Sequence, residues 1–125
     1  MLLNFLKFLR CPACKSELSI IIFEIDDKCE KLPDHLFFKE LKMKEIKREI
    51  GNREKIMENI NIKSGILLCN SCKRWYPIGS SIEGVPELLY PDDLRDVWRD
   101  KKFIRKWSEK IPETLKQNFN LLDKS

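Results

Sequence analysis

Four of the five cysteines of this chain stand in two pairs with identical spacing, Cys11-x-x-Cys14 and Cys69-x-x-Cys72. In each pair a tight turn directs both sulfurs to one side, so two pairs can offer four thiolates to one metal ion at sulfur–metal distances of about 2.3 Å. A disulfide within such a pair would close too small a loop to constrain the unfolded chain. The spacing therefore predicts a zinc site formed by all four cysteines, with iron as the alternative metal.

The composition limits how large a core the chain can form. It has 125 residues, of which 42% are hydrophobic and 35% charged, so we expect one compact domain with a modest core. A structural zinc contributes about 10–16 kcal/mol in isolated finger peptides, comparable to the stability of a whole domain. The net charge of +4 permits contact with nucleic acid without requiring it.

The sequence contains no stretch of about 20 apolar residues that would cross a membrane. The apolar run 1–9 is too short for a secretory signal and leads directly into the first cysteine pair. Reduced cysteines and the absence of an export signal lead us to expect a cytoplasmic protein without membrane contact.

The apolar pattern predicts strands and helices around the cysteine pairs. Runs rich in isoleucine and aromatic residues predict strands, whereas apolar residues three or four positions apart predict helices. Pro33-Asp34 marks a helix start, Gly51 its end, and Pro91-Asp92 the cap of a later helix. The predicted strands are 18–25, 64–68 and 74–78 with an extended segment at 84–89, and the predicted helices are 36–50, 53–60, 92–110 and, weakly, 115–122.

These elements predict an α+β fold, a zinc-ribbon-like small antiparallel sheet with a helical insert and C-terminal helices. We expect residues 1–32 and 61–91 to form the ribbon core, 33–60 the insert and 92–125 a C-terminal helical extension. An insert between the two half-sites is tolerated because the entropic cost of closing a loop grows slowly with its length.

The order of motifs resembles one known family, the small zinc-binding activator subunits of methyltransferases that act on tRNA, ribosomal RNA and release factors. The resemblance implies a non-catalytic zinc ribbon that forms a heterodimer with a Rossmann-like catalytic subunit, which itself binds S-adenosylmethionine. It also implies docking by β-strand addition through the Gly84–Leu89 segment. The motifs that carry the resemblance are Asn4-Phe5-Leu6, Leu9-Arg10-Cys11-Pro12-Ala13-Cys14-Lys15, Gly65-Ile66-Leu67-Leu68-Cys69-Asn70-Ser71-Cys72, Trp75-Tyr76-Pro77-Ile78 and Gly84-Val85-Pro86-Glu87-Leu88-Leu89-Tyr90-Pro91.

The segment around Pro86 has the properties of an exposed sheet edge. Proline cannot donate a ladder hydrogen bond and so favours an edge strand, and an apolar edge invites a second chain. The alternative is that these side chains pack on helices of the same chain. The predicted partner-binding residues are Trp75, Tyr76, Ile78, Ile82, Val85, Pro86, Leu88 and Leu89.

The predicted helix over 92–110 is rich in basic residues with Trp98 and Trp107 among them. Such a pattern can follow a phosphate backbone and stack on bases. The tryptophans also stand at core-facing helical positions, which favours an amphipathic helix with a solvated cationic face. The candidate RNA contacts are Arg95, Arg99, Lys102, Arg105 and Lys106.

The sequence favours a binding module over an enzyme. It has no GxGxxG or GxxxxGK[ST] phosphate-binding loop, and four cysteine ligands leave no open metal position for a substrate. His35 is interpreted as a surface residue and Cys29 as a small hydrophobe or an exposed thiol. A catalytic pair formed by these two lacks a third, orienting group.

Two alternatives to the activator interpretation remain at this point. A nucleic-acid-binding zinc ribbon of the transcription or translation machinery would bind RNA or DNA by itself with strong salt dependence. A rubredoxin-like iron protein is disfavoured because Lys15 and Lys73 stand where its cysteine turns usually have glycine.

Overall fold

The computed structural model describes residues 1–26, 32–51, 59–90 and 92–112. A four-stranded antiparallel sheet lies at its centre, with the strand order β2-β1-β3-β4. Together with the helices it confirms the predicted α+β class. The elements are β1 (Ser19–Ile25), β2 (Glu40–Leu41), α1 (Met43–Ile50), β3 (Ile62–Leu68), β4 (Trp75–Ile78) and α2 (Val97–Trp107), with short 3-10 helices at Leu3–Phe8, Asp34–Leu36, Asp92–Leu94 and Ser108–Lys110.

The sheet is buried on both faces, because successive side chains of a strand point in opposite directions and both sides are covered. Ile20 and Ile22 of β1 belong to one apolar cluster, which the N-terminal 3-10 helix and α1 cover. Ile21 and Phe23 belong to a second cluster on the opposite face, which α2 covers with Phe103 and other residues. We call these the knuckle face and the helix face. Burial on both sides explains the unbroken isoleucine run of β1.

Three predicted strands are confirmed with small changes in their bounds. β1 begins one residue later than predicted, β3 begins two residues earlier, and β4 begins one residue later. The register pairs Ile20 with Leu67 and Leu67 with Tyr76. The predicted extended segment at 84–89 makes one isolated bridge, from Pro86 to Ile78, and forms no regular strand.

The predicted helix over 36–50 is wrong in its first half. Phe38 adopts a left-handed conformation with φ of 61°, and its N–H donates to the Ile22 carbonyl at 3.0 Å. Glu40 then pairs with β1 and accepts a hydrogen bond of 2.7 Å from the Ser19 hydroxyl. Pairing with a neighbouring strand thus overrides local helical spacing, and α1 begins only at Met43. Its predicted end is confirmed, since Gly51 has φ of 74° and donates to the Lys47 carbonyl.

The second long helix also begins later than predicted. Residues Asp92–Leu94 form a separate 3-10 turn, and α2 begins at Val97. The cap is Asp96 instead of Asp92, since the Asp96 carboxylate accepts a hydrogen bond of 3.0 Å from the Arg99 N–H. The helix ends at Trp107, before the predicted end, and a 3-10 turn continues to Lys110.

The predicted helix over 53–60 lies mostly outside the described residues, and the one over 115–122 lies entirely outside them, as does Cys29. Within the described ranges, no helix combines the length and the apolar character needed to span a bilayer.

Candidate metal centre and docking surface

The two cysteine pairs are held by matching turns. After the first pair, the Lys15 N–H donates to the Cys11 carbonyl at 2.7 Å, and the Cys11 N–H donates to the Ser16 carbonyl at 2.9 Å. The second pair makes the same two bonds. The Lys73 N–H donates to the Cys69 carbonyl at 2.9 Å, and the Cys69 N–H donates to the Arg74 carbonyl at 2.9 Å. Two identical turns therefore present their sulfurs in the same way.

A left-handed residue closes each turn. Lys15 has φ of 66° and Lys73 has φ of 63°, a conformation that glycine adopts at the least cost. The turns thus form with lysine at the positions where rubredoxin turns usually have glycine. Lys15 and Lys73 therefore do not distinguish a zinc site from a rubredoxin-like iron site.

The turns bring the four cysteine sulfurs into one cluster in which all lie within 4.8 Å of one another. Across the two pairs, the Sγ atoms of Cys11 and Cys72 are 3.6 Å apart and those of Cys14 and Cys69 are 3.3 Å apart. A tetrahedron with metal–sulfur bonds of about 2.3 Å has sulfur–sulfur edges of roughly 3.8 Å. All four are free thiols. The donor set and its spacing therefore suit a tetrahedral metal ion, and zinc is consistent with both.

One aromatic hydroxyl contacts the cluster from inside the protein. Tyr76 is fully buried, and its hydroxyl lies 3.2 Å from the Sγ of Cys11, which is buried as well. Burial raises the pKa of Tyr76, and so does its hydrogen bond to Cys11. The hydroxyl therefore stays protonated and can donate a hydrogen bond to a Cys11 thiolate, as second-shell groups commonly do toward metal ligands.

The thiols differ in how readily they ionise. Hydrogen bonds from Ser16 lower the pKa of Cys14, which is exposed, to about 6. Burial raises the pKa of Cys72 to about 12 and also raises that of Cys69. Four thiolates this close repel one another, so their common ionisation requires a cation among them.

The protein comparisons identify the family. A family model described as Trm112p-like protein matches residues 3–79, more than half of the chain. This chain belongs to the Trm112p-like family. Trm112p-like proteins are activator subunits of methyltransferases, so the resemblance inferred from the sequence is confirmed. No curated protein and no solved structure matches the chain. The matched range contains both cysteine pairs and all four strands, whereas α2 lies beyond it.

The predicted partner-binding residues of this Trm112p-like chain fall into two groups. Trp75, Tyr76 and Ile78 are buried in the chain's own core. Ile82 and Val85 are exposed at 64% and 42%, and Pro86, Leu88 and Leu89 are partly buried. Only the second group offers side-chain surface to another molecule.

The segment that contains this second group lies along the outer edge of β4. The Gly79 N–H donates to the Val85 carbonyl at 3.1 Å, and the Glu87 N–H donates to the Pro77 carbonyl at 2.9 Å. Because these two bonds flank the single bridge between Ile78 and Pro86, the Pro86 carbonyl faces away from β4, and proline has no N–H to donate. We call residues 82–89 the edge segment.

The candidate RNA contacts in α2 and just before it also fall into two groups. Arg95 is buried in an ion pair of 2.9 Å with Asp100 and donates to the Trp75 carbonyl at 2.7 Å, so it anchors the region of α2 to the sheet. Arg99 forms an ion pair of 3.5 Å with Glu87 of the edge segment. Lys102, Arg105 and Lys106 are exposed.

His35 is exposed and lies 3.0 Å from a carboxylate oxygen of Glu49, far in sequence from the cysteines.

The sequence analysis missed two structural roles, the hydroxyl of Tyr76 at the cluster and the burial of Arg95. A tyrosine in an aromatic strand motif and an arginine in a basic segment carry no signal that would have indicated either.

Proposed function

We propose that this chain is a non-catalytic zinc-binding activator subunit of S-adenosylmethionine-dependent methyltransferases that act on tRNA, ribosomal RNA or a translation release factor. It forms a cytoplasmic heterodimer with a Rossmann-like catalytic subunit, which binds the methyl donor. The observation that carries this proposal is the family match over 3–79, a range that contains the whole four-cysteine cluster.

In this proposal Cys11, Cys14, Cys69 and Cys72 hold one zinc ion. When bound, the zinc cross-links the turn before β1 to the turn between β3 and β4. Four sulfur ligands complete a tetrahedron, which is typical of structural zinc and leaves no position for substrate. Residues 1–32 and 61–91 then act as the ribbon core, with 33–60 as its insert and 92–125 as an extension.

The catalytic subunit docks on the edge segment. A strand of the partner pairs with the outer backbone of the edge segment, where the Pro86 carbonyl is an acceptor, and the exposed side chains of Ile82 and Val85 add apolar contact. Main-chain hydrogen bonds give such an interface affinity, and alternate side chains give it specificity. The buried residues Trp75, Tyr76 and Ile78 act indirectly, by holding β4 in place beneath the edge segment.

The test is affinity capture of the tagged chain from its own cells, with mass spectrometry of the captured proteins. We expect one or more methyltransferases in near-stoichiometric amount, and we expect Ile82→Asp and Leu88→Asp to lose them. Leu88 packs against the knuckle face, whereas Ile82 is exposed, so Ile82→Asp separates loss of the interface from loss of the fold. Leu94→Asp, at a residue exposed at 58% outside the edge segment, is the matched control.

Capture of ribosomes, RNA or polymerase that high salt removes, without a methyltransferase, would favour the nucleic-acid-binding zinc ribbon instead. Unchanged capture by both Ile82→Asp and Leu88→Asp would move the interface away from the edge segment.

A further inference from the structure

A groove of about 450 Å³ lies beside the cysteine cluster, and its walls carry mostly positive charge. The N-terminal 3-10 helix, both cysteine turns and the start of α1 line it. Among the described residues that line it, Glu17 is the only acidic one, and the five cationic ones are Lys7, Arg10, Lys42, Lys44 and Lys47. The whole chain has a net charge of only +4, so the groove concentrates positive charge that the rest of the surface balances.

Among the residues that the structure describes, most of this charge has no carboxylate partner. Arg10 lies 3.8 Å from Glu17, at the outer limit of an ion pair. The four lysines make no ion pair with any residue that the structure describes, and all are exposed. Like charges gathered in a groove raise its positive potential, which attracts an anionic ligand. The start of α1 at Met43 adds the partial positive charge of a helix N-terminus, which the Glu45 carboxylate on the Lys42 N–H partly offsets.

The lining chemistry favours phosphate over an acidic protein segment. Protein–protein interfaces are depleted in lysine and enriched in aromatic residues, whereas this groove has four lysines and no aromatic residue. Phosphate oxygens are contacted by lysine and arginine together with serine and asparagine. Asn70 and Ser71 supply such groups at the groove, where the Asn70 amide also donates to Glu40 at 2.8 Å and the Ser16 hydroxyl is bonded to Cys14.

The wall of the groove that carries Lys42, Lys44 and Lys47 and the edge segment lie toward opposite ends of the sheet. Lys42, Lys44 and Lys47 follow β2, which is the edge strand at one end of the order β2-β1-β3-β4. The edge segment covers β4, the strand at the other end. A catalytic subunit docked there would leave the lysines after β2 accessible.

We propose that this groove binds the phosphate backbone of RNA and so helps to hold an RNA substrate on the methyltransferase complex. The role of that RNA as substrate rests on the proposed function, but the binding itself belongs to this chain. The affinity of the isolated chain is modest, since a few phosphate contacts give dissociation constants of about 10⁻⁴–10⁻⁶ M at physiological salt.

The test measures binding of a fluorescein-labelled oligouridine to the full chain by anisotropy over a series of salt concentrations. We expect the triple variant Lys42→Gln/Lys44→Gln/Lys47→Gln to weaken binding about tenfold or more at low salt. Its slope of log affinity against log salt should fall by about 2, because each lost contact with single-stranded RNA removes about 0.7. All three lysines are exposed, so metal content and circular dichroism should stay unchanged.

The matched control removes the same charge from α2 with Lys102→Gln/Arg105→Gln/Lys106→Gln, and we expect a change of about twofold or less. If both triple variants lost RNA affinity equally, the loss would follow from the change in net charge alone, and the proposal would be overturned. A loss confined to the α2 variant, or no binding by the unaltered chain at low salt, would also overturn it. Displacement of the oligouridine by polyglutamate as readily as by unlabelled RNA would assign the groove to an acidic protein.

The outcome can be separated from that of the proposed function. If the groove variant captures the methyltransferase normally and keeps its RNA affinity, the groove proposal fails while the activator role stands. If the chain binds oligouridine through the groove but captures no methyltransferase, the activator role fails and the groove stands as a nucleic-acid site.

Discussion

The two faces of the central sheet are covered in different ways. The knuckle face is covered by short segments that the four-cysteine cluster ties together, and it lies within the range that matches the Trm112p-like family. The helix face is covered largely by α2, which lies beyond that range. The same strands thus rely on a potential metal cross-link on one side and on a packed helix on the other.

On the helix face, an ion pair between Arg95 and Asp100 helps to hold the region of α2 against the sheet. The side chains of Arg95 and Asp100 are 10% and 3% exposed, and they meet at 2.9 Å. The Arg95 guanidinium also lies 4.6 Å from the ring centre of Trp75 in β4. Burial raises the pKa of Asp100, although the charge of Arg95 opposes that shift. We therefore expect the stability of the helix face to depend on this ion pair, as we expect that of the knuckle face to depend on a metal ion in the cysteine cluster.

The largest effect should come from removing one ligand of the cluster. We expect Cys69→Ser to release the metal and unfold the sheet, because structural zinc contributes on the order of 10 kcal/mol in finger peptides. Metal content by mass spectrometry and near-ultraviolet circular dichroism measure both losses.

Cys29→Ser is the control for that loss, since we do not expect Cys29 to be a ligand, and it should keep one metal ion per chain. If Cys69→Ser retained stoichiometric metal and a native spectrum, the cluster would not be the cross-link of the knuckle face.

Arg95→Ala should have the next largest effect and should act on the opposite face. Removing one partner of a buried ion pair typically costs about 3–5 kcal/mol, because it leaves an uncompensated charge. We expect α2 to lose hydrogen-exchange protection while the metal stays bound. Arg99→Ala is the control, since Arg99 is 36% exposed and its pairing with Glu87 is worth about 1 kcal/mol or less. Loss of metal in Arg95→Ala would show that the two faces are not independent.

The free energy of unfolding of Arg95→Ala should change with pH in a defined direction. Without Arg95, the pKa of buried Asp100 rises further above its value in the unfolded chain. A raised folded-state pKa in an acid gives stability that is lost as the pH rises through it. Arg95→Ala should therefore lose less stability, relative to the unaltered chain, at acidic than at neutral pH. Chemical unfolding of both proteins at the two pH values measures this difference.

The sequence was most informative about features that residues close together in the chain determine. The spacing of each cysteine pair determines a turn of six residues, and the isoleucine runs indicate β1 and β3 because both strands are buried on two sides. It was least informative where distant segments decide the outcome. Residues 36–42 have helical spacing, yet the left-handed Phe38 and the pairing of Glu40 with β1 prevent a helix there.

The same limit applies to the candidate site. The sequence identified the four clustered cysteines. It also predicted that Tyr76 binds a partner and that Arg95 contacts RNA, and both predictions assume exposed side chains. Whether a strand residue points to solvent or to the core depends on which elements cover the sheet. Here α1 and the 3-10 segments cover one side and α2 the other, and no local pattern in β4 records that arrangement.

Tyr76 and Trp75 are neighbours in β4, and they offer the finest test of the two faces because their side chains belong to opposite clusters. Tyr76→Phe keeps the ring and removes only the hydroxyl that lies 3.2 Å from Cys11. Loss of a second-shell hydrogen bond typically lowers metal affinity about 10–100-fold, and we expect that range here, measured by competition with a chelator. Trp75→Phe should leave metal affinity unchanged and weaken the packing of α2 instead. Equal metal affinity in Tyr76→Phe and the unaltered chain would mean that the hydroxyl only fills the core, and that the knuckle face needs nothing beyond its four sulfurs.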